Sequence, residues 1–89
     1  MTLISVELVV LNEQKFVEFC KPDAAITVEQ LRDRLADQLA MMLMMHFGLS
    51  SRRKNVVTVD CPDNLLAEFR KKTLGIIVDN TVEVREVTS

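Results

Sequence analysis

The sequence predicts an α+β domain: a mixed four-stranded sheet with one long helix and one short helix, in the order ββαβαβ. Three observations predict it. "TLISVELVVL" (Thr2 to Leu11) and "TVEVREV" (Thr81 to Val87) carry apolar residues at every second position, the period of a half-buried strand. Between them, Val28, Leu31, Leu35, Leu39 and Met42 recur at the spacing of one helical stripe. Strand-like and helix-like segments intermingle along all 89 residues without a low-complexity linker or an internal repeat, so one domain, 1–89, is expected.

In the first strand Ile4, Val6, Leu8 and Val10 share one face, and Ser5, Glu7 and Val9 the other. "NEQ" reads as a turn and "KFVEFC" as the return strand of a hairpin, with Val17 and Phe19 on one face and Phe16 on the other. "KPDAAI" is a connector. Thr27 followed by Gln30 is a capping box, in which hydroxyl and side-chain amide each satisfy the other's backbone N–H. Glu29 places negative charge in the first turn, where the helix dipole favours it. Arg32, Asp33, Arg34 and Asp37 cover the polar face, and Gly48 is the natural stop. "SSRRKN" reads as an exposed loop. "VVTVDC" is a third strand with Val57, Val59 and Cys61 on one face. Asp60 or Asp63 is placed to cap a short helix, "NLLAEFRKK", whose inward residues are Leu65, Leu66 and Phe69. Its last turn holds Arg70, Lys71 and Lys72, which suits the negative end of the dipole. "TLGIIVDN" is a compact turn region, and Val82 and Val84 face inward on the last strand.

This order resembles the ubiquitin-like β-grasp. The N-terminal hairpin followed by "DAAITVEQLRDRL" is similar to that family's hairpin and Thr-capped helix. The closing "LGIIVDNTVEVREV" is similar to its C-terminal pattern, with Leu74, Gly75 and Ile76 as the turn, Asp79 and Asn80 as the tight bend, and Val82 and Val84 as inward strand residues. The resemblance implies that the first strand and "TVEVREV" are parallel neighbours. It departs from the family in two places. The sequence closes on "EVREVTS" without the diglycine that conjugating modifiers and sulfur carriers use, so neither activity carries over. The helix also runs longer than the family's, and the added part is rich in methionine. Non-conjugating members serve as interaction modules, among them small accessory subunits of multicomponent oxygenases and secretion systems.

Composition narrows the function classes. A net charge of −2 argues against a general nucleic-acid binder, which needs a basic surface. No apolar run approaches the roughly 20 residues that span a bilayer. "MTLISVELVV" has no basic region before its apolar run, so no signal peptide is read there, and a cytoplasmic location with reduced thiols is expected. Cys20, His46 and Cys61 stand too far apart for a zinc site, and two glycines cannot form a phosphate loop. No metal, cofactor or catalytic residue is therefore expected, and His46 reads as a residue flanking the core. Two rival classes remain open: a sulfur-carrier or enzyme subunit using a cysteine, and a nucleic-acid-binding regulator using Arg52, Arg53 and Lys54. Those three cations also suit an acidic partner, but no aromatic residue accompanies them for base stacking.

The leading reading rests on "QLAMMLMMHFGL", Gln38 to Leu49, which holds four of the chain's five methionines. One stripe, Leu39, Met42, Leu43 and His46, continues the inward face. The other, Ala40, Met41, Met44, Met45 and Phe47, is then left facing water. A helix apolar all round is normally buried, and an exposed apolar patch marks an interface. Met41, Met44, Met45 and Phe47 are thus expected in a contact with a second copy, most simply a two-fold homodimer, or with another protein.

Overall fold

The computed structural model describes residues 1–88. In chain order the elements are β1 (Thr2–Val10), α1 (Glu13–Cys20), α2 (Val28–His46), β2 (Ser50–Arg53), β3 (Val56–Cys61), a 3-10 turn (Asp63–Leu65), α3 (Leu66–Thr73), β4 (Gly75–Ile77) and β5 (Val82–Glu86). The α+β class holds. The sheet, however, has five strands in the order β2-β3-β1-β5-β4, and every neighbouring pair is antiparallel.

Several local expectations change. "KFVEFC" belongs to a helix, not a strand. Asn12 is its N-cap, and its side-chain oxygen accepts the Lys15 N–H at 3.0 Å. The helical period buries Phe16 and leaves Phe19 exposed. "SSRRKN" is β2 and its turn into β3, with Arg53 opposite Val56 and Lys54 at φ 54°. Inside "TLGIIVDN", Gly75 to Ile77 pair with Val84 to Val82 as β4. Neither Asp60 nor Asp63 caps the short helix: Pro62 precedes the 3-10 turn, and the Asp63 carboxylate accepts the Thr2 hydroxyl at 2.7 Å.

β1 and β5 are neighbours, as expected, but run antiparallel, with Leu8 opposite Val84. The reason is the path. The β2–β3 hairpin sets β3 antiparallel beside β1. The chain then crosses through α3 into β4 at the far edge, and the β4–β5 hairpin turns it back as β5, opposed to β1, which sits between β3 and β5. The parallel pair implied by the ubiquitin-like resemblance is absent.

Register puts Ile4, Val6 and Leu8 on the same face as Val57, Val59, Val82 and Val84, and all are buried. Phe16 of α1, Leu31, Ala36, Ala40 and Leu43 of α2, and Phe69 of α3 complete a single core with them. Full burial of each large side chain contributes about 1.5–3 kcal/mol. The opposite face carries Ser5, Glu7, Thr58, Glu83 and Arg85, and among the described residues none on it is buried. That is the usual division of an antiparallel sheet with one solvated face.

α2 begins at the expected capping box: Gln30 N–H donates to the Thr27 hydroxyl at 3.1 Å, and Thr27 N–H to the Gln30 side chain at 2.9 Å. Its inward stripe is turned relative to expectation. Ala36, Ala40 and Leu43 are buried, Leu35 and Leu39 are half-buried, and Met42 is exposed. The two alanines let the helix sit close to β2, where the Ser50 hydroxyl donates to the Ala40 carbonyl. Gly48 follows the helix, as expected, but for a reason of space. A Cβ there would lie 2.3 Å from the Asp60 carbonyl oxygen.

The β4–β5 connection is unusual. Val78, Asp79 and Asn80 have φ of 54°, 52° and 63°, the left-handed region. For β-branched Val78 this costs roughly 1–2 kcal/mol, and less for Asp79 and Asn80, whose short polar side chains tolerate it. Val78 packs against the core, and its carbonyl accepts the Thr81 N–H at 3.0 Å and the Thr81 hydroxyl at 2.6 Å, which offsets part of that cost.

Candidate interaction surface

The C-terminal half of α2 leaves its methionines in water: Met41 is 63% exposed, Met42 56%, Met44 47% and Met45 81%. One turn apart, Met41 and Met45 are separated by only about 40° around the helix. Together with the exposed Arg34 and Gln38 they form a straight stripe on the side opposite Leu43. Met44 lies on one flank of that stripe and Met42 on the other.

Phe47 does not belong to the outward surface. It meets Phe69 edge to face, with ring centroids 5.2 Å apart, and packs against the core. The helix ends there, so the backbone leaves the helical period and swings the ring inward. Ala40 is likewise buried rather than outward. Met42 and His46, expected inward, are exposed.

Both line a groove of about 420 Å³ between α2, α3, β4 and β5. Leu39 and Leu43 contribute its apolar wall, Val84 its sheet side and Ile77 its far edge. Glu68 and Lys72 stand at the rim and pair with each other at 3.0 Å. No single segment of sequence announces this groove, because its sides come from four elements. The cue that was available is the pair Ala36 and Ala40, whose small size sets the helix rotation.

The three cations do not converge. Arg52 and Arg53 are successive strand residues and point to opposite faces. Arg52 is occupied: it binds Asp37 at 3.3 Å and the Lys54 carbonyl at 2.8 Å, tying the β2–β3 hairpin to α2. Arg53 and Lys54 are exposed.

The two cysteines sit in different settings, Cys20 exposed and Cys61 buried. Cys61 is buried and its thiol donates to the Pro62 carbonyl at 3.4 Å. Burial pushes its pKa up, and the neighbouring Asp63 carboxylate adds to the rise. Cys20, exposed at the end of α1, is also raised by desolvation. A catalytic cysteine is activated by a lowered pKa, and both shifts here run the other way. Among the described residues no group of three or more His, Cys, Asp or Glu could hold a metal ion, and no helix is long and apolar enough to cross a membrane.

No family model, curated protein or solved structure matches this chain.

Proposed function

We propose that this chain is a non-enzymatic interaction module, or small accessory subunit, that docks a folded polypeptide on the apolar C-terminal half of α2. The observation that carries the reading is the exposure of Met41 and Met45, 63% and 81%, on one side of a helix whose other side is already packed. Methionine suits a surface that must adapt to a partner, because it is unbranched and polarizable. A cytoplasmic setting goes with the proposal, supported by two free thiols. The ubiquitin-like resemblance adds nothing to it, since β1 and β5 pair antiparallel rather than parallel. The cysteine and nucleic-acid readings draw no support from raised thiol pKa values or from an Arg52 that is already paired.

The test is the double variant Met41→Glu with Met45→Glu. At concentrations where the wild type is a monomer, its far-UV circular dichroism and melting temperature should match those of the wild type, because both residues then point into water. Binding of an apolar dye should fall several-fold. In the wild type at that dilution, peroxide should oxidise both methionines without unfolding the chain. A double variant that unfolds would show that these side chains are packed internally, and the reading would then fail.

A further inference from the structure

We infer that the docked polypeptide is a second copy of this chain, packed α2 against α2 about a two-fold axis that crosses the stripe near Met41; this rests on the docking reading above. Three observations carry it.

The first is extent. Arg34, Gln38, Met41 and Met45 are all exposed, so one straight side of α2 is open to a partner over roughly 17 Å of helix.

The second is charge. The stripe is polar at Arg34 and Gln38 and apolar at Met41 and Met45. Antiparallel packing lays the apolar half of each copy on the polar half of the other, where the aliphatic stems of Gln38 and Arg34 cover Met45. Arg34 lies as far before Met41 as Gly48 lies after it. With the axis at Met41, each guanidinium therefore reaches the C-terminal end of the other α2, the negative end of its dipole. That end holds only one basic residue of its own, His46. Among the described residues Arg34 forms no ion pair within its chain, so it is free for this contact.

The third is what the second copy does not meet. Asp37, the acid beside the stripe, is paired with Arg52, so no lone carboxylate is buried against the incoming Met45. A two-fold contact also uses one patch twice and closes.

The experiment is sedimentation equilibrium of the full chain from micromolar to millimolar concentration with two variants in parallel, joined by oxidative cross-linking of two cysteine variants. The wild type should be a concentration-dependent dimer, and Met41→Glu a folded monomer. Arg34→Glu, at an exposed polar position that leaves the fold intact, should raise the dimer dissociation constant at least fivefold. Met41→Cys in a Cys20→Ser chain should form a self-cross-link on mild oxidation, because the axis sets residue 41 against itself, while Met44→Cys should not. A dimer that survives both Met41→Glu and Arg34→Glu would overturn the arrangement. A wild-type chain monomeric throughout, with Met41 and Met45 readily oxidised, would overturn self-association and leave a different protein as the docked partner. Methionines that resist oxidation in that monomer would overturn the docking reading as well.

Discussion

A hydrogen atom at Gly48 is what lets the end of α2 pass the backbone of β3. The closest atom to an added methyl is the Asp60 carbonyl oxygen at 2.3 Å, and the neighbouring Asp60 N–H is bonded to the Leu49 carbonyl at 2.9 Å. Backbone cannot move aside as a flexible side chain does. Gly48→Ala should therefore destabilise by about 1–3 kcal/mol, the usual range for an overpacked site, read as a lower urea midpoint. At the same end of the sheet, beside the start of β1, Arg70 of α3 binds Glu86 of β5 at 2.8 Å. That hydrogen bond holds the Glu86 carboxyl below its ordinary range. The folded pKa is depressed, so the stabilisation is present in full above the unfolded value and is lost as pH falls through the folded one. Glu86→Gln should accordingly be less stable than the wild type at pH 7. The two urea midpoints should converge as the pH is lowered through the acid range. A gap that persisted under acid conditions would remove the ion pair as its cause.

Among the elements, α2 owes its start to a reciprocal pair of hydrogen bonds that Thr27 and Gln30 make within four residues. Thr27→Ala should cost about 1 kcal/mol, within the 0.5–2 range for lost N-caps, measured by thermal melting. Because this signal is local, it was legible in the sequence, as was the alternation that buries Ile4, Val6, Leu8, Val57, Val59, Val82 and Val84. The elements that were not legible draw their structure from elsewhere. "KFVEFC" has too few residues to separate a two-residue from a helical period, and the deciding residue, Asn12, lies outside it. "SSRR" is polar throughout and is a strand only because it pairs with β3, and its arginines protect an edge from further pairing. β4 is three exposed residues held by β5 alone.

For the molecule as a whole, all three helices pack on one side of the sheet and the other side stays solvated. The direction of β5 relative to β1 was not legible, since it turns on β4, a short exposed strand whose hairpin with β5 reverses the chain. The candidate surface was legible in part. The methionine run marked the right half of α2, but helix rotation and chain exit decided which residues face out, exchanging Phe47 for Met42. The single core also makes Cys61 a probe of global opening. One thiol, Cys20, should react with an aromatic disulfide reagent in the folded chain, and the second only at the rate of unfolding. Fast reaction of both under native conditions would mean that the sheet face over Cys61 opens locally.

The Val78–Asn80 turn has a consequence that belongs to stereochemistry. A left-handed backbone is unfavourable for L-residues because of where their Cβ points, and is the natural state of their mirror images. This is the one place in the described chain where three adjacent residues share that handedness. A semisynthetic chain carrying D-asparagine at position 80 should therefore fold at least as stably as the all-L protein. The same inversion at Leu43, inside α2, should break it.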